Sequence, residues 1–396
     1  MSKRVFIVAA QRTPIGSFGG SLSSLSATEL GSKVVAGLLE RTKIDVSEIN
    51  DILMGCVLQA GVGQAPARQV AKLAGIPDHV SATTVNKVCA SGMKAVSLAA
   101  QSILLGDAEV VVAGGMESMS QVPYYVPATR WGAKYGAQPM LDGIQRDGLS
   151  DAYSQDAMGF FAELCAEKYA IDRDAQDAYA TLSYQRSAAA WQAGKFQDEV
   201  LPISIKSRKG EQLVATDEEF SQVDFARMAQ LKPAFKEGGT VTAANASTLS
   251  DGAAALLLVS EAKLIQLGLT PLAEIVSYAD AEQAPAWFTT TPYIAAKKAL
   301  EKANLPLSAI DYAEFNEAFS VVALANAQLL DIPLEKINVY GGAVSLGHPI
   351  GCSGARILTT LISILQQEGG TYGLAAICNG GGGASAMIIK RVSVPD

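Results

Sequence analysis

Two cysteines and one histidine are the residues of this chain whose surroundings best suit catalysis. Cys89 lies in Val-Cys-Ala-Ser-Gly, Cys378 in Cys-Asn-Gly-Gly-Gly-Gly, and His348 in Leu-Gly-His-Pro-Ile-Gly. A thiolate that accepts an acyl group needs a partner base and backbone N–H groups near the developing oxyanion, and glycine lets a backbone approach that closely. These residues therefore predict acyl transfer through a thiol, provided that the fold brings them together.

The other cysteines and the second histidine fit ordinary structural roles. We interpret Cys56, Cys165 and Cys352 as small core residues and His79 as a loop or interface residue. Five cysteines without C-x-x-C spacing or an even count predict free thiols in a reducing compartment, and we expect the cytoplasm. Because the chain has only two histidines, a zinc site is disfavoured.

The composition is that of a compact enzyme rather than a fibrous, disordered or membrane protein. Of the 396 residues, 49% are hydrophobic and 18% are charged, and the longest nearly apolar stretch, Ala253 to Val259, is far too short to cross a bilayer. The net charge of −8 argues against nucleic acid as a partner, so an anionic substrate needs a local basic patch. Candidates for that patch are Lys206 to Lys209, Arg227, Lys232 and Lys236.

The chain carries an internal duplication. Ser91-Gly92 and Ser353-Gly354, which are 262 residues apart, each open a helical stretch that is followed by a strand-like run. A second pair of segments, Val46 to Gly55 and Leu307 to Asn316, matches at an offset of 261 residues. Two matches at nearly the same offset predict two copies of a single unit.

Each copy has the pattern of an α/β unit. Short apolar strands alternate with helices whose apolar residues recur at helical spacing, as in Val96, Ala99 and Ile103, which favours mixed sheets covered by helices. Between the copies the composition shifts to Tyr, Gln, Asp and Lys. We therefore predict a first half of residues 1–119 plus 251–270, an inserted substrate-covering domain of residues 120–250, and a second half of residues 271–396.

The duplication also predicts where the candidate catalytic residues meet. Cys89 and Gly351 are equivalent, each two residues before a Ser-Gly that begins a helix, so Cys89 should lie at a helix N-terminus that lowers its thiol pKa. His348 lies in the matching turn of the second unit, and Cys378 and Asn316 each end a strand of that unit. If the units pack around an approximate twofold axis, these residues line a crevice between the halves.

Four ordered segments resemble the signature blocks of the thiolases: Val85 to Lys94, Asn316 to Phe319, Gly341 to Gly354, and Cys378 to Ala384. The resemblance extends over essentially the whole chain. It implies an α/β thiolase fold with a duplicated α-β-α-β-α five-layered architecture and an inserted loop domain, assembled as a homotetramer from two dimers. It also implies reversible Claisen condensation of two acetyl-CoA molecules to acetoacetyl-CoA and CoA, with no required cofactor beyond coenzyme A as substrate and product.

The resemblance assigns a role to each candidate catalytic residue. Cys89 would carry the acetyl group, His348 would be the base that activates it, and Cys378 would be the second acid and base. Asn316 would hold a water that forms one oxyanion hole together with His348, while the N–H groups of Cys89 and Gly380 would form the other.

The same resemblance implies ligand contacts outside the catalytic set. Tyr184, Arg227 and Ser247 match positions that hold coenzyme A, and a potassium site is implied at Tyr184, Ala243, Ala244, Ala246 and Val344. The chain departs from the family at two places. Ala157 stands where many relatives have histidine, and Phe288 is followed by Thr289 instead of proline, which argues against 2-methyl-branched substrates.

Other functions remain open from the sequence. A 3-ketoacyl-CoA thiolase of broader chain length and a non-catalytic acyl-CoA binding protein both fit the resemblance. A decarboxylating ketoacyl synthase would need a further active-site histidine, and only His79 is left. A dinucleotide-dependent oxidoreductase is disfavoured because no G-x-G-x-x-G follows a strand and opens a helix.

Overall fold

The two halves of the chain repeat one arrangement of strands, as the sequence offset predicts. The computed structural model describes residues 3–207 and 210–392. Its strands are β1 (Val5–Arg12), β2 (Gly16–Ser17), β3 (Asp51–Gly55), β4 (Ser81–Val85), β5 (Val110–Ser118), β6 (Tyr124–Tyr125), β7 (Leu141–Asp142), β8 (Ile203–Ser207), β9 (Gly210–Val214), β10 (Ser250–Ser260), β11 (Ala273–Glu282), β12 (Tyr312–Phe315), β13 (Tyr372–Asn379) and β14 (Gly383–Arg391).

The helices alternate with these strands. They are α1 (Ala27–Thr42), α2 (Pro66–Leu73), α3 (Ser91–Leu105), α4 (Met158–Lys168), α5 (Arg173–Gln192), α6 (Phe225–Met228), α7 (Glu261–Gln266), α8 (Thr291–Ala303), α9 (Ser320–Leu330), α10 (Ala343–Leu346) and α11 (Ile350–Gln367). Short 3₁₀ turns join several of them.

The main sheet shows the duplication directly. Its strand order is β12-β13-β14-β11-β1-β10-β5-β3-β4. In the first half, β3 runs parallel to β5, and β5 and β1 both run antiparallel to β10. In the second half, β12 runs parallel to β13, and β13 and β11 both run antiparallel to β14. The half-sheets join where Phe6 and Ile7 of β1 pair with Glu274 and Ala273 of β11.

Helices cover both faces of each half-sheet, which gives five layers. α3 and α11 pack together in the middle, and their core contains Val96 and Leu361 together with Val111 and Ile377 from the two half-sheets. α1 and α2 cover the outer face of the first half-sheet, while α8 and α9 cover that of the second. The predicted α-β-α-β-α architecture is confirmed.

Glycine sets the distance between the two central helices. A Cβ atom at Gly92 would lie 2.8 Å from the backbone nitrogen of Ala355 and 3.0 Å from the carbonyl oxygen of Gly351. At the equivalent position on α11, a Cβ atom at Gly354 would collide with the backbone nitrogen of Met93. Because real Cβ atoms do not come so close to a backbone, the N-terminal ends of α3 and α11 can touch only through glycine.

The central position of α3 also explains its composition. Among the described residues, Val88–Leu105 is the one helical stretch with the length and hydropathy of a membrane span. It is the core helix of the middle layer, and core helices are apolar on all sides.

The segment between β5 and β10 leaves the main sheet and carries its own elements. It contains α4, α5 and α6 and the two-stranded sheets β6-β7 and β8-β9. Of the basic patch predicted there, Arg208 and Lys209 lie outside the described residues.

Candidate active site

One cavity between the halves collects the predicted catalytic residues. It has a volume of about 660 Å³, and Cys89, His348, Cys378 and Gly380 lie on its wall. The inserted segment contributes further lining, including Met158, Phe235 and Ser247. A surface groove of similar volume, about 690 Å³, lies elsewhere around Tyr293 and Leu305 and contains none of these residues.

Cys89 is presented by a strained turn before α3. The preceding residue, Val88, has a φ of +46°, which is a genuine outlier for a β-branched side chain. The Ser91 hydroxyl holds the turn, because it accepts a bond from the Lys87 N–H at 2.8 Å and donates to the Val88 carbonyl at 2.6 Å. The Lys87 ammonium donates to the Ala384 carbonyl at 3.0 Å, which ties the nucleophile turn to the second half.

The expectation that the helix terminus lowers the pKa of Cys89 is wrong. Burial raises that pKa to about 12, and the charge of nearby Glu117 adds a smaller increase. The backbone N–H groups of Gly380 and of Cys89 itself act in the opposite direction, since they stabilise the thiolate. Because desolvation is the larger effect, the thiol is protonated at neutral pH and must pass its proton to a base when it reacts.

His348 is held in the form that can accept that proton. Its backbone N–H lies 3.2 Å from both the Thr248 carbonyl and the Ser250 hydroxyl. Its Nδ1 lies 2.6 Å from the Ser353 hydroxyl, which also lies 3.0 Å from the Pro349 carbonyl. With the single hydroxyl proton donated to Pro349, we assign the imidazole proton to Nδ1, which leaves Nε2 as the acceptor nitrogen, 3.4 Å from Asn316 Nδ2.

Burial also keeps the His348 ring neutral. Desolvation and the charge of Arg356 lower its pKa from 6.5 to about 3. A neutral imidazole with a free Nε2 lone pair can serve as a general base near pH 7.

Asn316 lies against the His348 ring. It directly follows β12, and its Nδ2 is 3.4 Å from Nε2 and 3.5 Å from Nδ1. Its Oδ1 is buried and has no hydrogen-bond partner among the described residues. The amide is therefore placed beside the base with an acceptor that can still bind a polar group.

Cys378 lies near the end of β13 in an apolar environment. It packs with Phe288, Phe319 and half-buried Met158. Burial raises the pKa of its thiol well above the ordinary value, and the neighbouring Cys89 raises it further. Both sulfurs belong to residues on the wall of one cavity, and both begin as neutral thiols.

The three residues predicted to contact coenzyme A lie in three different environments. Ser247 lies on the cavity wall, where its hydroxyl donates to the Ala318 carbonyl at 2.9 Å. Arg227 is exposed on α6, outside that wall. Tyr184 is buried in a small apolar cluster with Met228 and Val344.

The residues predicted to hold potassium lie in two adjoining places. Ala243 and Ala246 line the cavity, whereas Ala244 packs with Tyr184 and Val344. Burial raises the pKa of Tyr184, and so do the charges of Glu219 and Glu317. Within the described part of the chain, His, Cys, Asp and Glu side chains form no group of three or more that could hold a metal ion.

Two site residues have only weak signals in the sequence. Ser353 is recognisable there as the start of a helix, and nothing local shows that its hydroxyl faces His348. Glu117 is the single charged residue in an otherwise apolar strand, and that isolation is the signal that could have identified it. It lies below the cavity, where its carboxylate accepts hydrogen bonds from three backbone N–H groups.

The chain matches known families and proteins over nearly its whole length. The family model of the thiolase N-terminal domain matches residues 5–262, and that of the thiolase C-terminal domain matches residues 269–391. The chain is 53% identical over 392 residues to acetyl-CoA acetyltransferase IA of Candida tropicalis, covering 98% of this chain and 97% of that protein. It is 55% identical over 389 residues to acetyl-CoA acetyltransferase 2 of Arabidopsis thaliana, covering 98% and 96%.

A solved structure shares the fold. The Acat5 thiolase of Ascaris suum, determined in complex with coenzyme A, superposes with a TM-score of 0.94 at 43% identity, covering 98% of this chain and 100% of that one. Matches of this length, with both domains in order, leave one assignment: this chain belongs to the thiolase family.

Proposed function

We propose that this protein is an acetyl-CoA acetyltransferase, which condenses two acetyl-CoA molecules to acetoacetyl-CoA and CoA and catalyses the reverse thiolysis. The observation that carries the proposal is the meeting of Cys89, His348 and Cys378 on one cavity, with two N–H groups directed at the Cys89 sulfur. Relatives that carry this name, 53–55% identical over nearly the whole chain, support it.

The first half-reaction loads the acetyl group. The Cys89 sulfur attacks the thioester carbonyl of acetyl-CoA while His348 Nε2 takes the thiol proton. The N–H groups of Cys89 and Gly380 stabilise the oxyanion, a kind of contact worth about 10²–10³-fold in rate per donor. The carbon–sulfur bond to CoA then breaks, and the CoA thiolate leaves with the proton of Cys378. The new thioester on Cys89 has nearly the same free energy as the thioester of acetyl-CoA, so the acetyl group can still be transferred in the next step.

The second half-reaction forms the new carbon–carbon bond. The Cys378 thiolate removes a proton from the methyl carbon of a second acetyl-CoA, and the resulting enolate is stabilised by His348 and a water held by Asn316. The enolate carbon attacks the acetyl group on Cys89, and the thioester bond to Cys89 breaks. The Cys89 thiolate recovers its proton from His348, so that acetoacetyl-CoA is released and only Cys378 has exchanged its proton.

The key experiment locates the acetyl group. We expect incubation with acetyl-CoA, an acid quench and peptide mass spectrometry to find one acetyl group, on Cys89. The Cys89→Ala variant should remain unlabelled, and Cys165→Ala, which removes a buried thiol outside the cavity wall, should be labelled like the parent. Labelling of Cys378 in place of Cys89, or of neither, would refute the mechanism.

A turnover assay separates the proposal from the alternative of an acyl-CoA binding protein without catalysis. Thiolysis of acetoacetyl-CoA is followed by its absorbance. Binding without any loss of acetoacetyl-CoA in the presence of CoA would favour the alternative.

We propose that the site prefers a short acyl group because large side chains lie near the thiols. Met158 and Phe288 crowd the same region, and the sulfur of Met158 lies 3.5 Å from where a side chain at Gly380 would begin. Activity should therefore fall along a series of lengthening 3-ketoacyl-CoA substrates and with 2-methylacetoacetyl-CoA. Equal kcat/KM values along the series would instead favour the broader 3-ketoacyl-CoA thiolase.

Coenzyme A is proposed to lie across the inserted segment, with Ser247, Arg227 and Tyr184 near it. Ser247 is on the cavity wall, and the exposed guanidinium of Arg227 is available to an anionic group at the surface. The Acat5 thiolase of Ascaris suum, which shares the fold and was solved with coenzyme A bound, supports a coenzyme A site here.

A potassium ion is proposed beside this site, held by Tyr184 and by carbonyls of Ala243, Ala244, Ala246 and Val344. The contact among Tyr184, Ala244 and Val344 and the negative charges near the Tyr184 hydroxyl fit a cation. Bound there, the ion would balance charge and stiffen the loop that carries Ser247. Replacement of potassium by tetramethylammonium should raise KM and lower the melting temperature.

We also propose a homotetramer made of two dimers, located in the cytoplasm. β4 lies at an open edge of the main sheet, and the segment around β6 and β7 exposes large apolar side chains, which include Trp131 and Tyr135. Free cysteines suit a reducing compartment, and imaging of a fluorescently tagged chain tests the location.

A further inference from the structure

The duplication gives the active site a counterpart in the other half of the molecule. At the offset of 262 residues, Gly351 corresponds to Cys89, Met116 to Cys378, and Asn86 to His348. The counterpart therefore has neither a nucleophile nor a base. The local backbone also differs, because Gly351 lies in the first turn of α11, whereas Cys89 lies in the turn two residues before α3.

Glu117 occupies this counterpart. Its side chain is fully buried, and its Oε2 accepts the Gly351 N–H at 2.9 Å and the Val57 N–H at 3.1 Å. Its Oε1 accepts the Leu58 N–H at 3.1 Å and lies 3.8 Å from the sulfur of Cys56.

The Glu117 carboxylate accepts the N–H group that corresponds by sequence offset to the N–H group of the nucleophile. The Gly351 N–H is the equivalent of the Cys89 N–H, one of the two groups directed at the nucleophile in the catalytic half. The equivalent of Glu117 in the catalytic half is the neutral Asn379, which donates instead to the Gly380 carbonyl at 2.8 Å. The half-site that performs no chemistry therefore holds a carboxyl group where the catalytic half holds a neutral amide.

The Glu117 carboxylate is stabilised by three peptide N–H groups and by the Cys56 thiol. Glu117 makes no salt bridge among the described residues, and burial raises its pKa to about 7. A buried carboxylate is unfavourable unless hydrogen bonds compensate for lost hydration, and three N–H donors supply that compensation.

The donors belong to two segments that form the cavity. Gly351 is three residues beyond His348, and Leu58 packs with Ile350 and Cys89 in one apolar cluster. The fit around Gly351 is tight, since a Cβ atom there would lie 2.8 Å from Glu117 Oε2. One carboxylate thus joins the loop beside the nucleophile to the helix that carries the base.

We propose that Glu117 is a positioning residue, whose carboxylate ties the loop at Val57 and Leu58 to the first turn of α11 and thereby holds the His348 turn in place against Cys89. The inference rests on the proposed acetyltransferase function, because the geometry that it maintains is that of the Cys89 and His348 pair.

The test replaces Glu117 with glutamine. Glu117→Gln keeps the shape but presents an NH₂ group to N–H donors, so the Gly351 end of α11 must shift. A displacement of about 1 Å at reacting groups lowers turnover by roughly 10²-fold, so we expect kcat for acetoacetyl-CoA thiolysis to fall about 10- to 100-fold. KM should change less than about threefold, because Glu117 is absent from the cavity wall.

The matched control is Glu163→Gln. Glu163 is also buried and accepts backbone N–H bonds from Thr240 and Val241 at 2.8–2.9 Å, but it does not contact α11. Both variants should lose similar stability in thermal unfolding, while only Glu117→Gln should lose kcat selectively. A kcat within about twofold of the parent, or equal proportional losses in the two variants, overturns the proposal.

Two further measurements distinguish a failure of the Glu117 proposal from a folding defect and from a failure of the proposed function. If circular dichroism shows that Glu117→Gln does not fold, the variant Glu117→Asp takes its place. Its side chain keeps the carboxylate but is shorter by one methylene group. A kcat equal to that of the parent in this variant would also overturn the proposal. A parent protein that neither forms acetyl-Cys89 nor cleaves acetoacetyl-CoA would instead refute the proposed function, whatever the variants do.

Discussion

His348 can act as a base because two features of its surroundings determine its protonation state. Burial keeps the ring neutral, and the contact with Ser353 directs the free lone pair of Nε2 away from that hydroxyl. Cys89 and Cys378 are also neutral thiols at rest, since burial raises the pKa of each. None of these three side chains is therefore charged before substrate binds. Each thiolate forms only as a bond to its sulfur or to a proton breaks.

Ser353→Ala tests the role of that hydroxyl. Loss of the acceptor leaves Nδ1 buried without its partner, and the proton is then free to move to Nε2, the wrong nitrogen for a base. We expect kcat to fall about 10- to 100-fold, a partial loss of the roughly 10²–10⁴-fold that general base catalysis contributes, with a smaller change in KM. Steady-state thiolysis measures both constants.

The control for this variant is Ser363→Ala on the same helix. Its hydroxyl donates to Glu199 at 2.7 Å, far from the ring, so its loss should reduce stability without reducing kcat. Equal kcat values in the two alanine variants would contradict the assigned tautomer.

The low pKa of His348 also makes stability depend on pH. The unfolded chain binds a proton on His348 below about pH 6.5, whereas the folded chain binds it only near pH 3, so acid favours unfolding by up to about 1.4 kcal/mol per pH unit. The parent should lose about 2 kcal/mol more free energy of unfolding between pH 7.5 and pH 5 than His348→Asn does.

Urea unfolding at the two pH values measures this difference. The buried carboxyls of Glu117 and Glu314, whose pKa values are raised, gain protons in both proteins and cancel in the comparison. An identical dependence on pH in parent and variant would mean that His348 is not held neutral by the fold.

At the scale of the elements, the two central helices begin differently although their sequences are equivalent. The Ser-Gly pairs predict starts at Ser91 and Ser353, but α11 begins three residues earlier, at Ile350. Pro349, with φ −67°, already has a helical φ, whereas the positive φ of Val88 prevents an earlier start of α3. Cys89 is therefore in a turn, while its equivalent, Gly351, is within a helix.

Gly92→Ala tests the contact between these helices. The added Cβ would be 2.8 Å from a backbone nitrogen of α11, which cannot move without its helix. Such overpacking destabilises by about 1–3 kcal/mol, and we expect a loss in that range together with lower kcat, since both helices carry catalytic turns. The control, Ser102→Ala at the other end of α3, should change the free energy of unfolding and kcat only slightly. Unchanged unfolding of Gly92→Ala would contradict the close contact.

At the scale of the whole molecule, the exposed apolar segment from β6 to β7 is the surface at which we propose that the tetramer forms. Trp131 is 87% exposed and Tyr135 fully exposed, which is unfavourable for a surface left in water. The double variant Trp131→Glu and Met140→Glu should convert a tetramer to dimers, because charges are poorly tolerated in an apolar interface. Light scattering after gel filtration measures the mass.

Tyr153→Glu provides the comparison for this prediction. Tyr153 is 79% exposed but lies outside the segment from β6 to β7, so its charge should leave the mass unchanged. A parent that elutes as a monomer would refute the proposed assembly.

The sequence by itself predicted the duplication, the family and the candidate catalytic residues. These features are local: glycine-rich turns, an offset of 262 residues and four ordered motifs can be read without knowledge of distant contacts. The five-layered fold followed from the resemblance and the alternating pattern, and the structure confirmed it.

Only the tertiary structure decided how those residues are tuned. The helix terminus predicted a lowered pKa for Cys89, and burial reversed the sign. The contact of Glu117 with Gly351 joins residues 234 positions apart, and no local pattern encodes it. Desolvation and hydrogen bonding depend on which remote groups surround an atom, so the nature of the site could be predicted from the sequence, whereas its protonation states and supports required the folded chain.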